Sequence, residues 1–111
     1  MLKIVDLPEI IKQMKKPWSP VEVAHANEQV VRLALFEGSY PFHKHKNEDE
    51  VFYVVKGRIT IRVKDHPDLE LSNGQMAVMP RGIEHSPLAH EPTYVLMFEP
   101  STLIPTGDEQ L

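Results

Sequence analysis

The sequence predicts an all-β fold, a sandwich or closed barrel of short strands with one helix at its front. Three observations carry that prediction. After Pro20 the 111-residue chain breaks into seven short runs that either alternate polar with apolar residues or are continuously apolar, the patterns of half-buried and fully buried strands. Turn-forming clusters separate the later runs: KG at 56–57, DHPD at 65–68, SNG at 72–74 and PRG at 80–82. Ten prolines and five glycines supply the turns that such a fold needs.

The elements follow in order. DLPEIIKQMKK (6–16) reads as a short helix, because Asp6 can cap it, Glu9 stands three residues on, and lysines crowd its end. Pro17 and Pro20 stop it. VEVAH (21–25) alternates, and EQVVRLALFE (28–37) is rich in Val, Leu and Phe. EVFYVV (50–55) is continuously apolar, which predicts that both its faces are covered. RITIRV (58–63) puts Ile59, Ile61 and Val63 on one face and Arg58, Thr60 and Arg62 on the other. LEL (69–71) is short, QMAVMP (75–80) is a further apolar run, and TYVLMFE (93–99) closes the series. The expected plan is one domain over 1–111: a helix and arm at 1–20, a barrel at 21–100, and a loosely held tail at 101–111.

Composition narrows the function. With 12 basic and 16 acidic side chains the net charge is −4, so no nucleic-acid partner is expected, since such binding usually calls for a basic stripe. No apolar run approaches the roughly 18 residues of a membrane span. Asp6, Pro8 and Glu9 interrupt the N-terminal stretch, so it does not read as a signal peptide. The chain has no cysteine. Disulfides, thiolate metal sites and a cysteine nucleophile are thereby removed, and a cytoplasmic location is expected.

A candidate metal site emerges at FHKHKNEDE (42–50). Residues i and i+2 of a strand share a face, so His43 and His45 can aim two imidazoles at one point. That pair alone is a weak signal. Glu50 strengthens it: a hairpin after HKNED would return Glu50 across from the pair, on the face it shares with Phe52 and Val54. A carboxylate pointing into a covered interior needs a partner, and a metal ion is one. Glu48 and Asp49 read as a solvated acidic turn. His85 is the fourth candidate, brought back by the Pro80–Gly82 turn on one face with Ile83 and Pro87. Three imidazoles and one carboxylate suit a single divalent transition metal ion per chain: Zn, Mn, Fe, Ni, Co or Cu. They leave coordination positions open, as a working site does.

Other residues receive ordinary readings. His25, His66 and His90 are polar surface positions, with His66 in the DHPD turn. Met76, Met79 and Met97 are core fillers, and Tyr40, Tyr53 and Tyr94 are core or interface aromatics. Glu84 points away from His85. Arg32, among apolar neighbours, is expected to reach out to water, with capture of an anionic substrate inside the barrel as the alternative.

Two stretches together resemble the paired motifs of the cupin family. The first is Gly38-SYPF-HKH-KNED-Glu50-VFYVVK-Gly57, with four residues between Gly38 and His43 where the family usually has five. The second is Gly74-QMAVM-Pro80-R-Gly82-IE-His85, with Ala89 at the family's trailing asparagine, which is not a metal ligand in that pattern. The 16 residues between Gly57 and Gly74 are typical of small single-domain members. The resemblance implies a double-stranded β-helix (jelly-roll) barrel with His43, His45, Glu50 and His85 as the metal ligands. It implies two candidate functions. One is a metal-dependent enzyme, of dioxygenase or isomerase type, acting on a small aromatic or keto/carbonyl compound. The other is a non-catalytic module that binds a small molecule or sugar and keeps the metal as an anchor. No general base is identifiable. A homodimer is expected, with VEVAH pairing to the partner's sheet as in many small cupins.

Overall fold

Pairing follows the alternation of the sequence. In the computed structural model, which describes residues 2–107, helix α1 (Leu7–Gln13) precedes seven strands: β1 (Val21–Ala26), β2 (Gln29–Ser39), β3 (Glu50–Lys56), β4 (Arg58–Val63), β5 (Leu69–Ser72), β6 (Met76–Met79) and β7 (His85–Pro100). All pairings are antiparallel. Five strands lie in the order β1-β2-β7-β3-β6, while β4 joins β5 to β7. Strand β7 serves both groups. Its first part, His85 to Leu88, runs beside Val63 to Thr60 of β4. Its later part, Tyr94 to Phe98, lies between β2 and β3. The exposed residues His90, Glu91 and Pro92 mark the passage, where a missing proline N–H costs least. The all-β expectation holds, and the last strand begins eight residues before TYVLMFE.

Because side chains alternate across a strand, one face of each of the strands β2 to β7 builds a common core. Ala34, Phe36, Phe52, Val54, Ile59, Ile61, Leu71, Met79, Val95 and Met97 all belong to it. Each of these side chains larger than alanine contributes about 1.5–3 kcal/mol on burial. Gly57 closes the turn into β4. It sits at φ 114°, and a Cβ there would strike the Thr93 side chain, so no other residue fits the turn.

Several expectations need correction. The helix stops at Gln13, short of 16, with Asp6 accepting the Glu9 N–H at 3.2 Å. It buries no residue, and a short helix without packing has little to extend it. β3 is covered fully on one face only, since Val51, Tyr53 and Val55 are half-buried. Met79 and Met97 are core, but Met76 is 59% exposed, on the opposite face of β6. β1 pairs with β2 of its own chain and lies at the end of the strand order, which neither meets nor overturns the expected pairing with a partner's sheet. Arg32 does not reach for water; it is 7% exposed. The start of the tail is also held: Leu103 is 2% exposed, and Ser101 N–H bonds the Glu28 carbonyl at 2.8 Å. The tail beyond residue 107 lies outside the described residues.

Candidate metal centre

Backbone pairing brings the first two histidines together. Although 42 residues apart in number, His43 and His85 face each other across an antiparallel bridge. Each donates its N–H to the other's carbonyl, at 3.0 and 2.9 Å. Their rings lie 4.5 Å apart. The Pro80–Gly82 turn fixes the third, because Gly82 N–H donates to the His45 carbonyl at 2.7 Å. The same turn is tied by Asp49, which accepts the Arg81 N–H at 2.8 Å, while Glu48 accepts the Thr102 hydroxyl at 2.8 Å. These two carboxylates are therefore loop ties and not merely a solvated turn.

The three imidazoles each present a nitrogen such that all three atoms lie within 4.8 Å of one another. Nδ1 of His43 donates to the Pro41 carbonyl at 3.0 Å, and Nδ1 of His85 to the Ile83 carbonyl at 2.9 Å. These bonds fix the tautomer and leave Nε2 with a bare lone pair, the arrangement a metal requires of histidine. Burial lowers the pKa of both, outweighing those backbone bonds. They are neutral, ligand-ready imidazoles at neutral pH.

Glu50 completes the group from β3. It is 3% exposed, and its Oε1 lies 3.6 Å from Nε2 of both His45 and His85. That is too long for a direct hydrogen bond. It matches the roughly 3–3.7 Å between donors that share one ion at about 2.1 Å each. Among the described residues neither Glu50 Oε1 nor His85 Nε2 has a hydrogen-bond partner. Buried polar atoms left bare are costly, and one cation between them would satisfy both. The residues present fit a metal ion. His25, His66 and His90 lie apart from this group: His25 pairs with Glu22, His66 folds back onto the Lys64 carbonyl, and His90 is exposed.

The cluster forms part of the wall of a cavity of about 340 Å³. His43 and Glu50 line it, with Phe36, Phe52, Tyr40 and Trp18 among the other walls. Trp18 belongs to the arm, held at φ 59° by its backbone bond to the Leu35 carbonyl and its indole bond to the Glu37 carbonyl. It packs on Phe36 and Tyr40 at 4.5 and 5.0 Å between centroids. Ile104, Pro105 and Thr106 line the cavity from the tail. Gly107 approaches so closely that a Cβ there would lie 2.8 Å from that of His43. Burial raises the Tyr40 phenol's pKa, so it holds its proton at neutral pH.

Sequence reasoning missed a second buried carboxyl. Glu99 is 1% exposed and, by the register of β3 with β7, stands opposite Glu50. Arg32 Nη1 donates to Glu99 Oε1 at 3.2 Å and to the Leu103 carbonyl at 3.3 Å, and Nη2 donates to Glu22 at 3.2 Å. The guanidinium is thus spent on the protein and does not await an anion in the cavity. Burial pushes both carboxyls up, and Glu99 is raised further by the negative charge of Glu50. A cross-strand signal could have found this residue: the pair Val51–Phe98, continued one step, sets Glu50 opposite Glu99.

Comparison with known proteins agrees with this architecture. The family described as "Cupin domain" matches residues 22–99. The uncharacterized protein YdbB of Bacillus subtilis is 30% identical over 99 residues, 89% of this chain and 88% of that protein. The crystal structure of a cupin-2 domain containing protein from Shewanella frigidimarina superposes with a TM-score of 0.84 at 32% identity, covering 87% of this chain and 94% of that one. The 3-hydroxyanthranilate 3,4-dioxygenase 2 of Aspergillus fumigatus is 32% identical over 78 residues, 68% of this chain but 39% of that protein. Among the described residues no helix is long and apolar enough to cross a membrane.

Proposed function

The chain belongs to the Cupin domain family, and on that premise we propose that it is a metal-dependent enzyme of dioxygenase type acting on a small aromatic or carbonyl compound. In this reading His43, His45, Glu50 and His85 hold one divalent transition metal ion. The observation that carries it is the convergence of three imidazoles and a bare carboxylate oxygen on one point, with His43 and Glu50 of that group lining an aromatic-walled cavity. Likeness to a dioxygenase over 78 residues adds support for the reaction type.

When bound, such an ion supplies a Lewis acid with open positions for substrate oxygens and, if redox-active, electrons for oxygen chemistry. The protein's own part is positioning. The Pro41 and Ile83 carbonyls hold the His43 and His85 rings with Nε2 free. Trp18, Phe36 and Phe52 give a flat ring apolar surfaces to pack on and keep water from the reacting face. The protonated Tyr40 phenol offers a hydrogen-bond donor to a substrate oxygen.

The same reading makes the protein a homodimer. On the outer face of the sheet, pairing aligns an apolar row of Val31, Phe98, Val51 and Val78, with Tyr53 and Met76 beside it, while Leu33 and Leu96 of the same face are already buried within the chain. Val78 and Met76 are 56% and 59% exposed and Phe98 38%, a patch that a second copy would cover.

The test is elemental analysis of protein purified without chelating resin, followed by oxygen consumption with catechol and related phenols on the Fe(II)-loaded protein. Roughly one metal per chain and turnover abolished by His45→Ala are expected. Absence of bound metal under all loading conditions refutes the centre. Metal binding with no turnover of any phenol or carbonyl compound assigns the non-catalytic binding role.

A further inference from the structure

Two lines of ring contacts connect Trp18 of the arm to the metal centre. One runs through Tyr40 to His43, with centroids 5.0 and 5.2 Å apart. The other runs through Phe36 and Phe52 to His85, at 4.5, 6.4 and 6.0 Å. Aromatic walls that lead to the ligands suit a flat ring. The same walls have nothing to offer an anion. Among the described residues no Lys or Arg lines the cavity. The buried Arg32 donates instead to Glu99, the Leu103 carbonyl and Glu22. Pro20, Pro87 and Pro105 stand in the wall, and a proline has no backbone N–H. The Trp18 indole N–H is spent on the Glu37 carbonyl. Tyr40 and Thr106 bring hydroxyls to the cavity, which can bond a neutral substituent but carry no charge.

We propose that this wall selects the substrate by charge: the cavity takes a single aromatic ring that is uncharged beyond the oxygens it presents to the metal, and rejects the same ring bearing a carboxylate. The inference rests on the aromatic-compound reading given above and narrows it. A carboxylate taken out of water needs a cation or a set of N–H donors. On the cavity wall it would meet aromatic and proline surfaces, whereas an amide of the same shape brings no charge to be compensated and loses far less on leaving water.

The experiment is a calorimetric titration of the cobalt(II)-loaded protein, under nitrogen at neutral pH, with catechol, 3,4-dihydroxybenzamide and 3,4-dihydroxybenzoate. The visible absorption of the ion reports loading. The amide and the acid share a shape and differ in charge. Catechol and the amide should bind, and the acid should bind about 10–100-fold more weakly than the amide. Ile104 lines the cavity and is 49% exposed, so a longer cationic side chain can be placed there. Ile104→Lys should narrow the amide-to-acid ratio about threefold. Equal binding of acid and amide by the wild type overturns selection by charge while leaving the metal centre and its aromatic cavity intact. A ratio that Ile104→Lys leaves unchanged overturns the assignment of that selection to this wall. Cobalt-loaded protein that binds none of the three refutes the aromatic-compound reading itself, and this inference falls with it.

Discussion

Replacing His45 by alanine separates a metal ligand from an ordinary buried imidazole. His45 is 3% exposed and its Nε2 lies 3.6 Å from Glu50 Oε1. An ion bound only by the native state adds RT ln(1 + [L]/Kd), about 2.7 kcal/mol when free metal is 100 times Kd. Loss of one of four ligands should remove most of that. For a chain of this size 1 kcal/mol corresponds to roughly 3–5 °C in Tm, so the metal-saturated variant should melt about 10 °C below wild type. After exhaustive chelation the gap should shrink to a few degrees, because the core formed by Phe52, Val54, Ile61 and Val95 does not involve the ion. His66→Ala is the control. Its imidazole is exposed and, among the described residues, bonds only the Lys64 carbonyl, so its change should stay within about 0.5 kcal/mol with or without metal. Thermal melts by circular dichroism under both conditions make the comparison. Equal metal-linked shifts in the two variants, or none in either, refute the site.

Three further outcomes are expected. Metal retention, followed by dialysis and elemental analysis, should fall on acidification, because each imidazole must be neutral to ligate. Burial lowers His43 and His85 below the usual 6.5 but raises the Glu50 carboxyl to about 7, so proton competition begins at the carboxylate near neutral pH and the imidazoles join it below 6.5; occupancy should fall progressively from about pH 7 downward. Gly107→Ala should destabilise by about 1 kcal/mol or more, since it combines a φ of 97° with a Cβ 2.8 Å from that of His43, and cobalt affinity should drop with it; unchanged stability and affinity argue against tail contact with the site. Light scattering should give a dimer at micromolar concentration, and Val78→Lys should shift it to monomer; a monomeric wild type ends the dimer reading.

What was legible in the sequence was whatever is local or repeats with period two. The seven runs gave seven strands because alternation sorts side chains between faces, as in Ile59 and Ile61 against Arg58 and Thr60. His43 and His45 could be paired by their spacing, although the segment forms no strand and only His43 makes a bridge, to His85. Glu50 could be added because it opens an apolar strand; the hairpin expected to set it across from the histidine pair is not formed, since β3 pairs with β6 and β7 and His43 bridges His85. Arg32 and Glu99 escaped because their bond joins residues 67 apart in sequence and depends on how β2, β7 and β3 register with one another. Single-strand patterns carry no such information, and a charged residue in an apolar run reads as solvent-facing until its partner is known. Met76 failed for the opposite reason. The run QMAVM is apolar throughout, yet β6 is an edge strand with only one face on the core.

The family match covers residues 22–99, and all four proposed ligands fall inside it. Five cavity residues fall outside: Trp18 and Pro20 from the arm, Ile104, Pro105 and Thr106 from the tail. The proposed ligands thus belong to the shared barrel, while part of the remaining cavity wall comes from the flanking segments, so for the arm, which does not touch the ligands as the tail touches His43, choice of substrate should be separable from metal binding. Trp18→Ala tests this. The indole touches Phe36 and Tyr40 and, through Tyr40, stands one ring away from His43. An aromatic contact is worth about 0.5–1.5 kcal/mol beyond burial, so loss of the indole should weaken catechol binding roughly tenfold and leave cobalt affinity within a few-fold of wild type. Trp18 is the chain's single tryptophan, so quenching of its fluorescence reports ligand entry in the wild type directly. Calorimetry, which needs no indole, compares the variants, and Trp18→Phe should recover most of the loss. Catechol affinity unaffected by Trp18→Ala, or cobalt affinity falling in step with it, would mean that the arm does not form a substrate wall distinct from the metal centre.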